Sequence, residues 1–147
     1  MRQEVTKMGG SVKRSNATLR VSHEELQPEL FTASVGIAPS HAHAKGDPIS
    51  PRVSSQRKHG MWMLDSEDNP LSQLDEKIQS ILKRLPDPGT WLAATRGFDV
   101  DLYCSVLVAG DCAGFNLSLE TIRLLSELQI PIGIEIWTDD DDAPPSA

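Results

Sequence analysis

The sequence offers little ready-made chemistry. Among its 147 residues are two cysteines, one tyrosine, three tryptophans and three phenylalanines, so aromatics make up only 5%. Cys104 and Cys112 form neither a disulfide framework nor a zinc site by themselves. Neither has an adjacent histidine or a Cys-x-x-Cys partner, which argues against a nucleophilic or redox role. No apolar run approaches the roughly 20 residues that span a bilayer, so a membrane is not an expected partner. Met1 to Arg14 is polar and basic and has no apolar h-region. It does not read as a signal peptide, and the expected compartment is the cytoplasm. Asn16-Ala-Thr and Asn116-Leu-Ser match the glycosylation sequon, which means nothing without secretion. Gly110-Asp-Cys-Ala-Gly114 is glycine-rich but lacks the Gly-Lys-Ser/Thr of a phosphate loop, and reads as a tight turn.

Basic charge is scarce in one half of the chain. Residues 1–60 carry 9 basic and 5 acidic groups, a net of +4; residues 61–147 carry 5 and 16, a net of −11, giving −7 in total. Nucleic acid is therefore not an expected partner of the second half, because phosphate contacts need a basic surface. Part of the excess is Asp139-Asp140-Asp141-Asp142, in a tail that ends Ala-Pro-Pro-Ser-Ala.

What is present is periodicity. From Asp99 to Ala109, Val100, Leu102, Cys104, Val106 and Val108 alternate with Asp99, Asp101, Tyr103 and Ser105, the signature of a half-buried strand. Ala17, Leu19 and Val21 alternate in the same way over Asn16 to Val21, and Ile130, Ile132, Ile134 and Ile136 do so near the C-terminus. Pro131 places that last strand's start at a sheet edge or entrance. Pro28 to Val35 reads as a short helix with Leu26 before it, Leu30, Phe31 and Val35 at helical spacing, and Gly36 as left-handed cap. Ser40 to Pro51 reads as a loop. Arg52 to Gln56 and Gly60 to Asp65 read as a hairpin around Arg57-Lys58-His59-Gly60. Asn69-Pro70 opens the clearest helix, with Leu71, Leu74, Ile78, Ile81, Leu82 and Leu85 on one stripe and Pro86 as its stop. Asp87-Pro88 starts a short helix to Thr95 with Trp91 and Leu92 inward. Phe115 to Leu117 reads as a brief pairing segment. Ser118 caps a helix from Leu119 to about Gln129, with Leu119, Ile122, Leu125 and Leu128 apolar. The expected order is β-α-β-β-α-(α)-β-α-β. It predicts an α+β, two-layer domain: a single mixed, mostly antiparallel sheet with helices on one face. Residues 1–14 read as a disordered N-terminal segment, 15–138 as the domain, and 139–147 as an acidic, proline-containing tail.

Leu26-Gln-Pro28, Val35-Gly36-Ile37-Ala38-Pro39 and Lys45-Gly46-Asp47 come in sequence ahead of the Trp62 strand, the long amphipathic helix, the alternating strand, and the closing helix and strand from Leu119 to Ile136. Over roughly residues 16–137 this pattern resembles the domain of unknown function 4279 family. The most specific part is Gly-Ile-x-Pro followed by Lys-Gly-Asp; where such families often close on a tyrosine, this chain has Trp137. The resemblance implies an α+β domain of bacterial origin with no established enzyme activity, some of whose relatives look like antitoxins encoded beside secreted toxins.

Several residue sets could carry chemistry. His41-Ala-His43 with Asp47 could ligate a metal, but a loop between prolines fixes no geometry and no third histidine or cysteine is near, so no metal or cofactor is expected. His23 and His59 could join them only through the fold. Asp99 and Asp101 share one strand face, and acid–base use would need a cleft around them. Lys45, Asp47, Arg52 and Trp62 form the candidate ligand-binding set, against a plain turn built on Gly46 and Asp47. The sequence thus reads as a non-enzymatic interaction module, an immunity-type protein binding a basic protein partner. The alternative is a small ligand-binding domain or enzyme using Lys45, Asp47, Arg52 and Trp62. Oligomeric state is not legible in the sequence.

Overall fold

A computed structural model describes residues 12–110 and 113–138. The N-terminal residues expected to be disordered lie outside the described residues up to position 11, as do the acidic tail, Asp111 and Cys112. In chain order the elements are β1 (Val12–His23), α1 (Pro28–Val35), β2 (His41–His43), β3 (Pro48–Ser50), β4 (Val53–Gln56), β5 (Gly60–Asp65), α2 (Leu74–Leu82), α3 (Pro88–Ala94), β6 (Asp99–Val108), α4 (Leu119–Glu127) and β7 (Ile132–Thr138). The main sheet has the order β2-β5-β1-β6-β7, and β3 and β4 form a separate two-stranded ribbon. All pairs are antiparallel except β6–β7, which is parallel and joined by the crossover through α4. The fold is α+β, as the sequence predicts.

The sheet is sorted by its pleat. Leu19 of β1 stands between Leu64 of β5 and Leu102 of β6, and Val21 between Trp62 and Val100. These residues share the face covered by the helices. Ala17, Leu19, Val21, Trp62, Leu64, Leu102, Cys104 and Val106 are all essentially inaccessible to solvent there. Phe31 of α1 packs edge-on against Trp62, with ring centroids 4.9 Å apart, and against Trp91 of α3 at 6.0 Å. The few aromatics are thus concentrated at one end of the core, and α2 supplies aliphatic cover for the rest through Leu74, Ile78, Ile81 and Leu82. Gly60 opens β5 where a Cβ would lie 2.3 Å from the carbonyl oxygen of Leu26, so only glycine fits under that turn. Gly36 holds φ 73° and closes α1.

Several elements differ from the sequence reading. β1 begins at Val12 rather than Asn16, because β6 runs on to Val108 and offers its first residues a partner, with a register irregularity between Val12 and Arg14. The 40–51 stretch is not a loop throughout: His41–His43 pairs with β5, and Pro48–Ser50 pairs with β4. The expected hairpin between residues 52–56 and 60–65 does not form. The amide of Gly46 donates to the carbonyl of Arg57 and the amide of Arg57 to that of Asp47, both at 2.8 Å. This closes the ribbon on itself and returns the chain to the main sheet, where Trp62 and Leu64 find the core. Residues 115–117 form no strand.

The helix expected from Pro70 starts at Leu74. Asn69 instead makes a local turn, its side chain accepting from the amide of Leu71 at 3.0 Å, and Leu71 is 90% exposed. Gln73 and Glu76 then cap the helix reciprocally. At the other end the chain tightens after Leu82, the amide of Leu85 donating to the carbonyl of Leu82, ahead of Pro86. Lys77 is buried on the apolar stripe. Its ammonium donates to the carbonyl of the buried Ser15 and ties α2 to β1.

Helix α4 is rotated from the expected stripe. Leu125 and Leu128 are buried, but Leu119 is 85% and Ile122 51% exposed, and Thr121 is buried in their place. A polar contact sets this rotation. Asp75 accepts from the amide of Ser118 at 2.8 Å, and the Gln79 amide donates to the hydroxyls of Ser118 (2.9 Å) and Thr121 (3.0 Å).

Ile78→Ala is expected to lower stability by about 2–5 kcal/mol, because it empties a fully buried site. Leu71→Ala, on an exposed turn, should stay within about 0.5 kcal/mol. Urea melts of the two variants check this; equal losses would place Leu71 back in the core. Burial, with a smaller contribution from the Asp101 charge, pushes the Cys104 thiol up to about 12. In a Cys112→Ser background, a thiol reagent at about pH 8 should label Cys104 only after unfolding; rapid labelling of the native protein would contradict the strand register.

Candidate functional site

The face of the sheet opposite the helices carries the polar residues of the same strands, and they form a ladder across all five. His41 Nε2 on β2 lies 3.2 Å from Asp65 Oδ2 on β5. Asp65 Oδ1 accepts from the Thr18 hydroxyl of β1 at 2.9 Å. Arg20 binds Asp101 of β6 through two donors, Nε to Oδ1 at 2.8 Å and Nη2 to Oδ2 at 2.5 Å. Its guanidinium also lies 5.0 Å from the centre of the Tyr103 ring. The Tyr103 hydroxyl donates to Glu135 of β7. The bond to Asp101 raises the Arg20 pKa further, and the bond to Glu135 raises that of Tyr103. Asp101 is thus occupied by Arg20, and the Asp99–Asp101 pair lies on this open face rather than in a cleft.

At the β2 end of this face the β3–β4 ribbon forms one wall of an open groove of about 1000 Å³. Met61 and Met63 of β5 and His41 and His43 of β2 line it, with Ile49, Asp47, Arg57, Lys58 and His59 around them. Two nearby histidine-rich or basic segments therefore meet in a protein that is acidic overall. Burial, followed by the positive charge of Arg57, holds His43 below the ordinary imidazole pKa, with Asp47 opposing them. The Nε of Arg57 is buried without a hydrogen-bond partner. Among the described residues, no three of His, Cys, Asp and Glu gather closely enough to hold a metal ion.

The expected ligand-binding residues occupy four different environments. Lys45 pairs with Glu24 at 2.5 Å on an exposed surface, and this bond lowers the Glu24 pKa. Asp47 lines the groove, but one of its oxygens accepts from the amide of Ala44 at 2.8 Å and stabilises the turn in which Gly46 holds φ 91°. Arg52 is at the exposed tip of the ribbon, its amide donating to Ser50 Oγ. Trp62 is buried beneath the sheet and donates from Nε1 to the Thr32 hydroxyl at 3.1 Å. Only Asp47 reaches the groove. Met61 and Met63 are legible as residues of the Gly60–Asp65 strand, but nothing in the sequence sets them opposite His41 and His43, which the pairing of β2 with β5 alone brings about.

A second surface lies at the other edge of the sheet. β7 pairs only with β6 among the described strands, and the helical layer does not cover it. Ile134 and Ile136, whose register with Cys104 and Val106 puts them on the helix side, are 37% and 58% exposed. Trp137 projects from the opposite face and is also exposed.

No helix among the described residues is long and apolar enough to cross a membrane. No curated protein and no solved structure matches the chain. A family model described as a domain of unknown function (DUF4279) matches residues 13–139, from the second residue of β1 to one residue past β7. Since that match takes in every element of the sheet and its helical cover, the chain belongs to the DUF4279 family.

Proposed function

We propose that the domain is a non-enzymatic interaction module that holds a basic protein partner at the β7 edge, in the manner of a bacterial immunity protein acting in the cytoplasm. The observation that carries this reading is the edge itself. On β7, Ile134, Ile136 and Trp137 expose apolar surface on both faces, and β7 stands last in the order of the described strands, a position at which a sheet can take an added strand. Leu119 and Ile122 add exposed apolar surface on α4, the helix that leads into β7. The charge supports a basic rather than an acidic partner. The half of the chain that holds α4 and β7 has a net charge of −11, although Glu120 and Glu127 on α4 pair with Lys83 and Arg123 and Glu135 accepts from Tyr103. Long-range attraction of this kind raises association rates by about 10–10³-fold and is screened over about 8 Å at physiological salt.

The test takes a basic protein captured from the native host's lysate, identifies it, and measures its binding kinetics at low and high salt. The association rate should fall about tenfold or more as salt rises, and Ile136→Ala or Trp137→Ala should speed dissociation. A salt-independent association rate, or kinetics unchanged by both substitutions, would contradict the reading.

A further inference from the structure

The β2–β5 pairing brings two soft-donor dipeptide repeats face to face. His41 lies opposite Met63 and His43 opposite Met61. Residues two apart on a strand point the same way, so all four side chains share the open face, and all four line the groove. We propose that His41, His43, Met61 and Met63 form a binding site for one Cu(I) ion.

The spacing allows it. Directly opposed residues on antiparallel strands have Cβ atoms roughly 5 Å apart, and residues two apart along a strand are separated by roughly 7 Å. A point above the middle of that rectangle lies roughly 4–5 Å from each Cβ. The flexible thioether arms reach such a point, and a rigid imidazole bound through Nδ1 draws the ion off the centre toward its own strand, with metal–ligand bonds of about 2.0–2.3 Å. The donor set also selects the metal. Two imidazoles and two thioethers are neutral and soft, which suits Cu(I); Mg²⁺ and Ca²⁺ require several oxygens, and zinc sites are built from thiolate, imidazole and carboxylate. Three-residue clusters of His, Cys, Asp and Glu are absent among the described residues, and the two sulfurs are what complete this one.

A second observation points to a metal. Ligating histidines usually give their other ring nitrogen to a carboxylate. His41 Nε2 lies 3.2 Å from Asp65, which is itself fixed by the Thr18 hydroxyl, and this leaves Nδ1 as the ligating nitrogen. Arg57 and Lys58 oppose a cation in the groove, Asp47 is the carboxylate that lines it, and Asp65 stands beside His41. A bound ion would also fasten β2, a three-residue edge strand, to β5.

The experiment uses the full chain with Cys112→Ser, which leaves the buried Cys104 as its sole thiol. Cu(I) is titrated anaerobically against a chromophoric Cu(I) chelator. One ion per chain is expected, with sulfur in its coordination sphere by X-ray absorption. Met61→Leu and Met63→Leu, which nearly conserve volume, should each weaken binding by at least about tenfold while circular dichroism shows an unchanged fold. Asp65→Asn should weaken it about 10–100-fold, and His23→Gln, outside the groove, should leave it unchanged. Failure to compete with the chelator, nitrogen-only coordination, or Met→Leu variants that bind as tightly as the parent would overturn the proposal.

Discussion

The antiparallel pairing of β1 with β6 is the constraint on which the rest of the structure depends. It runs from Val12 opposite Val108 to Ser22 opposite Asp99, and β1 holds β5 on its other side. A strand alternates its side chains with a period of two, so this one register decides what both faces of the sheet present. A slip of β1 by one residue against its neighbours would turn Leu19 and Val21 to solvent and bury Arg20, parting it from Asp101 on the open face. The core and the polar ladder are therefore two consequences of the same pairing. Lys77 strengthens it from the helical layer, since its ammonium reaches the Ser15 carbonyl on β1.

From that register follow two further surfaces. Toward β2, the open face carries histidines and methionines under the β3–β4 ribbon. Toward β7, the sheet outruns its helices and leaves isoleucines uncovered. The ladder of His41, Asp65, Thr18, Arg20, Asp101, Tyr103 and Glu135 joins the two ends. Its links are part-buried or exposed, so each contributes little stability on its own; exposed ion pairs contribute about 0–1 kcal/mol. Their effect is to fix side-chain positions on a face that has no core to hold them.

Local signals in the sequence carried the elements whose packing is set locally. Pro28 at the first helical position and Gly36 at the left-handed cap mark α1 at both ends, and alternation marks β1, β6 and β7. What was not legible depended on partners distant in the chain. The rotation of α4 is set by Asp75 and Gln79, some forty residues away, so Leu119 and Ile122 read as core although they are exposed. The hairpin expected between β4 and β5 fails because Gly46 and Asp47 take the Arg57 backbone instead. The candidate set of Lys45, Asp47, Arg52 and Trp62 lies in a short stretch rich in turn signals. Alternation along β5 turns Trp62 to the core and Met61 and Met63 to the groove, and only the pairing of β2 with β5 could show what faces them.

The most direct measurement of the central register is the set of cross-strand nuclear Overhauser contacts between backbone protons of β1 and its neighbours. Contacts of Leu19 with Leu102 and Leu64, and of Val21 with Val100 and Trp62, are expected. The same contacts displaced by one residue on either partner strand would contradict the sorting of the two faces, and with it both surfaces described above.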